Sequence, residues 1–336
     1  MLNLQHRIDL LLQLGKYIQD DGPEWQAVKQ KASAFNGWFT PHFIEVATQN
    51  IASRFLNGNT MLQIAQKYQV PESSPNPATI GIVMAGNIPL VGLHDWLCVF
   101  LSGHTATIKA SSKDNILLEH LLHKLMEWNP SATDHFSFSE MLKGCDAYIA
   151  TGSDNSARYF DYYFKRFPSI IRRNRTSAAI LTGQETAAEL EGLADDTHLY
   201  FGLGCRNVTK IFVPSDYDFV PLLEAMKKYH AFADHSKYKN NYDYQLAIHL
   251  LNNQYYMTNG VVLLSESPSI FSPISQLNYE FYSDKNKVLE ELQSNNSVQC
   301  IVGQGLLPFG QAQCPGWEDY ADGVNTMSFL QGLNKP

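Results

Sequence analysis

A thiol flanked by glycines and an arginine stands at Gly202-Leu203-Gly204-Cys205-Arg206-Asn207. Glycine tolerates the sharp bends that expose a neighbouring side chain. A cation next in sequence favours the thiolate, the nucleophilic form of cysteine. The same six residues also read as a buried, inert cysteine beside a glycine turn, and by themselves they do not choose. Asn87, in Ala85-Gly86-Asn87-Ile88-Pro89, carries an amide that could donate to a developing oxyanion or cap the helix that follows. Lys109 ends a β-rich run, where its ammonium could bind a nucleotide ribose or phosphate, or simply be solvated. After it come Ser111, Ser112 and Lys113, with no carboxylate until Asp114. A carboxylate at a cofactor ribose repels a 2′-phosphate, and a serine in its place tolerates one. Thr151-Gly152-Ser153 ends a further β-rich run and opens a helix, where backbone N–H groups suit a pyrophosphate, although many helix caps look the same. No GxGxxG follows a strand, so the standard dinucleotide fingerprint is absent.

Other reactive types group less well. Lys165, Arg166, Arg172, Arg173 and Arg175 form a local basic stretch. It could meet the phosphates of a large anionic cofactor or acyl carrier, or pair with acidic residues at an interface. His94 and His198 could each serve as a base, but neither has a spacing to Cys205 that carries a rule. His120 and His123 share a helix face without a third ligand, which reads as a plain helix pair rather than a metal site.

These residues need elements to hold them. Apolar residues at helical spacing predict helices over 3–19, 24–35, 41–56 and 59–68, a helical cap with no chemistry of its own. The proline-rich stretch 71–77 is a linker or crossing segment. Thr79 to Met84 is a continuous apolar run of the buried parallel-strand type. The pattern then alternates: helix over 90–101, strand 105–109, helix 115–128, strand 146–150, helix 155–164. That alternation marks an open parallel sheet, on which ligands sit beyond the carboxyl ends of the strands. Segments 85–89, 109–114 and 151–155 are the ones so placed. A second unit begins near residue 176, with strands over 178–181, 208–213, 260–264 and 298–302 and helices over 185–200, 220–228 and 245–251. The expected division is a helical segment 1–77, a cofactor-binding domain 78–176, a catalytic domain 177–305 and a return segment 306–336.

Composition narrows the function classes. The chain has 336 residues, 44% apolar and 17% charged, with a net charge of −8 and no basic tail. That argues against non-specific binding to nucleic acid or an anionic membrane. Cys98, Cys145, Cys205, Cys300 and Cys314 are widely spaced without a CxxC, so neither a disulfide framework nor a zinc site is expected. No apolar run approaches the ~20 residues of a membrane span, and the first residues lack a signal-peptide layout. A cytoplasmic location is expected.

Together these pieces resemble the aldehyde dehydrogenase superfamily. They look most like the long-chain acyl-CoA and acyl-protein reductase family that includes the reductase subunit of bacterial bioluminescence. The strand and turn carrying Asn87 resemble the superfamily's catalytic-asparagine turn. Thr105 to Lys109 resembles its cofactor-binding lysine strand, and Thr151-Gly152-Ser153 its later cofactor turn. Gly202 to Pro214 resembles its catalytic-cysteine segment, Ile270-Phe271-Ser272-Pro273 its Glu-Ile-Phe-Gly-Pro segment, and Leu307-Pro308-Phe309-Gly310 its closing Pro-Phe-Gly turn. The likeness spans about 78 to 330.

Two departures bear on the chemistry. Oxidising members carry a glutamate that activates water to hydrolyse the acyl-enzyme, whereas the matching region, Arg172 to Ser177, holds no carboxylate. The ribose-binding glutamate of the Glu-Ile-Phe-Gly-Pro segment is Ser269 here. The resemblance implies an α/β, aldehyde-dehydrogenase-like fold. It further implies an NADPH-dependent reduction (NADH being the alternative) of an acyl-CoA or acyl-carrier thioester to an aldehyde. Cys205 would be the nucleophile, with Asn87 and the Cys205 N–H on the oxyanion and Lys109, Ser112, Thr151, Gly152 and Ser153 on the cofactor. No metal is called for. Partner expectations are a second copy of the chain or a separate acyl-transfer subunit. Two other readings stay open: an acyltransferase or thioesterase-like acyl carrier, and a catalytically silent scaffold.

Overall fold

The computed structural model describes residues 2–74 and 76–333; Pro75, within the expected linker, and the last three residues lie outside them. The chain divides into two compact units, Met1–Asn174 with Gly316–Pro336, and Arg175–Pro315.

The first unit is built on five parallel strands in the order β3-β2-β1-β4-β5. These are β1 (Thr79–Val83), β2 (Thr105–Lys109), β3 (Phe136–Phe138), β4 (Ala147–Thr151) and β5 (Ser169–Arg172). The run read as a buried strand is one: Ile80, Gly81 and Ile82 are covered on both faces, and a Cβ at Gly81 would lie 2.7 Å from the Tyr148 ring. Register sets Val83 beside Lys109 on one side and Ala150 on the other. The carboxyl ends of β2, β1 and β4 therefore share one edge. Chain order reverses between β1 and β4, which is where open parallel sheets form a ligand crevice.

Four N-terminal helices, α1 (Leu4–Asp20), α2 (Pro23–Phe35), α3 (Pro41–Asn50) and α4 (Gly58–Lys67), pack into the same core as the sheet. The expected helix 41–56 changes pitch after Asn50 into a π turn, Ile51–Phe55. Leu56 follows it, close enough that a Cβ at Gly15 of α1 would lie 2.7 Å from the Leu56 carbonyl oxygen.

Helices α5 (Leu93–Ser102), α6 (Asn115–Trp128) and α7 (Asp154–Phe164) connect the strands. The expected start of α5 at Leu90 is corrected to Leu93. Leu90 sits at φ +57 with its N–H on the Asp114 carboxylate at 2.6 Å, so residues 84–92 form a turn instead. The segment after Pro315 returns to this unit and ends in α12 (Thr326–Gln331), which packs on α5.

The second unit has a six-stranded sheet in the order β11-β6-β7-β10-β9-β8. Its strands are β6 (Thr176–Ile180), β7 (Val208–Pro214), β8 (Met257–Thr258), β9 (Leu263–Glu266), β10 (Gln276–Tyr282) and β11 (Val298–Gly303). All pairings are parallel except β8 with β9. Helices α8 (Ala187–His198), α9 (Val220–Met226), α10 (Ser236–Leu251) and α11 (Lys285–Ser294) complete it. The chain has the expected α/β class. No helix among the described residues is long and apolar enough to cross a membrane.

Candidate active site

The first unit gathers the expected cofactor residues on one sheet edge. Asn87 lies in the turn after β1, Lys109 ends β2, Ser112 follows it, and Thr151 ends β4 ahead of Gly152 and Ser153. Three close contacts shape this edge. A Cβ at Gly86 would fall 2.4 Å from Ser111 Oγ and 3.2 Å from Asp114 Cβ, so the turns after β1 and β2 touch only because residue 86 has no side chain. A Cβ at Gly152 would lie 2.8 Å from Ser156 Cβ, so the backbone runs directly over the first turn of α7. Ser153 is the N-cap of that helix, its Oγ accepting the Ser156 N–H at 3.4 Å.

Asn87 is exposed and five positions ahead of the α5 N-cap, Gly92, so the reading of Asn87 as a helix cap is set aside. Lys109 is exposed, its Nζ donating to the Glu140 carbonyl at 3.0 Å. Ser112 and Lys113 are exposed as well, whereas Asp114 is buried. Burial lifts the Asp114 carboxyl well above its ordinary value against the Leu90 N–H, which holds it down. Asp114 thus braces the Asn87 turn from a buried position, a role invisible from its place in the sequence. The edge is a fit for a nucleotide cofactor: a chain-order reversal, a lysine and exposed serines, a glycine turn and a capped helix start.

The second unit holds Cys205 in a turn at the amino edge of its sheet. Tyr200, Phe201 and Gly202 all lie in the left-handed region, at φ 57, 56 and 75. For the two aromatic residues this costs roughly 1–2 kcal/mol each, strain that persists only when surrounding contacts impose it. Asn207 imposes it. Its Oδ1 accepts the Gly204 N–H at 2.8 Å, and its Nδ2 donates to the carbonyls of Asp196, Thr197 and Leu199. From β6, the Thr176 hydroxyl donates to the Asn207 carbonyl at 3.1 Å and the Ser177 hydroxyl to the Cys205 carbonyl at 3.2 Å. Cys205 is half-buried.

Arg206 is turned to other work than its place beside the thiol suggested. Its Nε donates to the Ala312 carbonyl, and its charge bears on Asp196. The Asp196 carboxylate accepts the N–H groups of Gly310 and Ala312 at 2.7 and 2.8 Å. Burial pushes the Asp196 carboxyl up to about 7, against those two donors and Arg206. The closing turn, Leu307 to Gly310, is thereby fastened to the end of α8 and to the nucleophile turn. Asp196 and Asn207 do this fastening, and no spacing in the sequence announces it.

Several alternatives resolve. In the basic stretch, Arg172 is buried at the end of β5 and paired with Asp95, its Nη2 donating to Thr326 Oγ1 at 2.9 Å. Arg173 pairs with Asp161. Arg172 and Arg173 of the stretch are thus engaged in internal pairs. His94, packed against Phe55, Trp317 and Tyr320, is pushed down to about 4 by burial. His198, stacked 4.9 Å from Tyr229, is likewise pushed to about 4 by burial. Neither titrates where a general base for a thiol would. His120 stacks on Trp25 and bonds Tyr17 Oη at 2.8 Å, while His123 faces Phe138. Among the described residues no group of three or more His, Cys, Asp or Glu side chains could hold a metal ion. Ser269, exposed in the loop after β9, donates to the Phe271 carbonyl at 2.8 Å.

No family model matches this sequence. No curated protein sequence matches it either. Solved structures do match. An aldehyde dehydrogenase of Mycobacterium tuberculosis complexed with NAD+ superposes with a TM-score of 0.65 at 15% identity, over 86% of this chain and 70% of that one. A gamma-glutamyl-gamma-aminobutyraldehyde dehydrogenase of Burkholderia cenocepacia gives 0.66 at 13%, over 90% and 71%. An indole-3-acetaldehyde dehydrogenase of P. syringae, in complex with NAD+, gives 0.63 at 10%, over 90% and 72%. At such identities the likeness is one of fold, and the fold is aldehyde-dehydrogenase-like.

Proposed function

We propose that this chain is a nicotinamide-dependent oxidoreductase that reduces an acyl thioester to the aldehyde through an acyl-enzyme on Cys205. One observation carries the reading beyond aldehyde chemistry in general. The segment beside the nucleophile turn, Arg172 to Ser177, meets it with hydroxyls and not with a carboxylate. Two carboxylates of the same unit are committed elsewhere: Asp196 to two backbone N–H groups, and Glu185 to the N–H groups of Thr182 and Gly183. With no carboxylate in that segment to activate water, hydrolysis of the thioester on Cys205 is disfavoured.

The Cys205 thiolate attacks the thioester carbonyl, forming a new C–S bond. The Cys205 N–H would donate to the oxyanion, and Asn87 is the amide to which the family resemblance assigns the same role. Collapse expels the carrier thiol, which takes the proton Cys205 gave up. A nicotinamide cofactor held by Lys109, Ser112, Thr151, Gly152 and Ser153 would supply the hydride that turns the acyl group into an aldehyde and frees the thiolate. With Ser112 and Lys113 exposed and Asp114 withdrawn, the edge favours the phosphorylated cofactor, NADPH, over NADH.

NADPH oxidation with myristoyl-CoA tests the reading. Wild-type protein should turn over and form an acyl adduct on Cys205, and Cys205→Ala should lose at least about 10³-fold in kcat. Turnover unchanged in Cys205→Ala would remove the acyl-enzyme. An adduct without cofactor oxidation would leave an acyl carrier, and no adduct at all would leave a silent scaffold of this fold.

A further inference from the structure

We infer that Ser177 is the positioning residue of the nucleophile turn, acting through the peptide bond that joins Cys205 to Arg206. The inference rests on the reading of Cys205 as the nucleophile. Residues Gly204 to Asn207 form a β-turn closed by the Asn207 N–H on the Gly204 carbonyl at 3.1 Å. Cys205 and Arg206 are its central residues. In such a turn the central peptide has two orientations, types I and II, related by a flip of the peptide plane, and type II needs a positive φ at the third residue. Arg206 is not among the residues at positive φ, so the turn is held in the type I orientation.

The Ser177 hydroxyl holds it there. Ser177 is wholly buried on β6. Its Oγ donates to the Cys205 carbonyl at 3.2 Å, and the same oxygen accepts the Cys300 N–H at 3.2 Å. The Cys300 Sγ lies 3.0 Å from it. A hydroxyl has one proton and two lone pairs. With the proton spent on Cys205, the Cys300 thiol is the donor in its contact. A directed chain therefore runs from the Cys300 thiol to the Ser177 hydroxyl to the Cys205 carbonyl, across β11, β6 and the turn before β7. Because the two polar groups of a trans peptide point in opposite directions, fixing the Cys205 carbonyl toward Ser177 fixes the Arg206 N–H away from it. A flip would exchange them, turning a carbonyl dipole to where an N–H now points, on the peptide of the residue whose thiol must become a thiolate. This hydroxyl occupies the segment where a water-activating carboxylate is missing, so the segment's contribution here is to set the turn.

The test uses the full chain and a readout independent of turnover: alkylation of Cys205 by iodoacetamide across pH 6 to 10, followed on the Cys205 peptide by mass spectrometry. Ser177→Ala should move the midpoint of the profile upward by about half a pH unit or more. It should slow acylation by myristoyl-CoA roughly 10-fold at little change in KM, and Ser177→Thr, which keeps the hydroxyl, should restore both. Cys300→Ala, which removes the thiol donor but leaves its N–H, should show a smaller shift in the same direction and decides the matter if Ser177→Ala does not fold. A wild-type profile in folded Ser177→Ala, or in Cys300→Ala when that variant decides, overturns the inference. Failure of wild-type Cys205 to take an acyl group overturns the acyl-enzyme reading instead, while the alkylation profile still reports on Ser177.

Discussion

Asn207 spends its whole side-chain amide on the turn that presents Cys205. One Oδ1 contact and three Nδ2 contacts tie Gly204 to the carbonyls that end α8, and the residue is fully buried. Removing it would orphan a backbone N–H and leave carbonyls competing for nothing, while two aromatic residues at positive φ lose what holds them. Asn207→Ala should therefore lower stability by about 3 kcal/mol, the cost of stranding buried polar groups, measured as a shift in the urea midpoint at constant m-value. A loss below about 1 kcal/mol, within the ordinary range for a single hydrogen bond, would mean that the turn keeps its shape without the amide. Asn207→Asp should do no better, because a carboxylate cannot donate to the three carbonyls.

At the scale of elements, α8 and the closing turn pack backbone against backbone. A Cβ on Gly192 would sit 2.9 Å from the Gly310 nitrogen and 2.9 Å from the Phe309 carbonyl carbon, all backbone. Alanine is the better helix former by about 1 kcal/mol, so in an open helix Gly192→Ala would stabilise. Here it should destabilise by roughly 1–3 kcal/mol through overpacking, seen as a lowered Tm, and a raised Tm would show that the closing turn can yield. This packing also shows what a single sequence does and does not disclose. The strands β1 and β4 were legible because both of their faces are covered, which writes a nearly continuous apolar run, and β2 and β7 because β-branched residues alternate in burial along them. The placement of Asn87, Lys109 and Thr151 to Ser153 on one edge followed from the alternation of strand and helix. Elements whose stability comes from distant partners were not legible. β5 lies in a basic stretch because Arg172 is neutralised by Asp95 from α5. α10 begins at Ser236, well before the expected 245, since its first half is polar and is fixed by the His235 cap. β10 and α11 carried no signal strong enough to be read. Asp114, Asp196 and Ser177 support the site through contacts between segments tens of residues apart.

For the whole molecule, the buried titratable groups set a difference between the two units in acid. A histidine held below its ordinary value of 6.5 stabilises the fold at neutral pH, and that stabilisation is lost as pH falls from 6.5 toward the folded value. A carboxyl held above its ordinary value acts in reverse: its contribution is present at low pH and is lost as pH rises through the folded value. The first unit contains His94, pushed to about 4 by burial, together with His104, His120 and His135, all lowered with burial as the leading cause. Against these stands Asp114, raised by burial. In the second unit His198 at about 4 is opposed by Asp196 at about 7, so the two largely offset each other between pH 7 and 5. The carboxylates held low by partners, Glu24, Glu189 and Glu318, act chiefly below that window. Acidification from pH 7 to 5 should therefore weaken Met1–Asn174 with the return segment more than Arg175–Pro315. Hydrogen exchange followed by mass spectrometry, with intrinsic rates corrected for pH, reads each unit's opening free energy separately. The slow amides of β1 and α5 should lose protection first, and those of β6 and β7 should hold. Equal losses in both units would show that they open as one, or that the histidines of the first unit do not carry the acid sensitivity. Asp196→Asn discriminates these outcomes: by deleting the offsetting carboxyl, it should leave the second unit with the uncompensated acid sensitivity of His198.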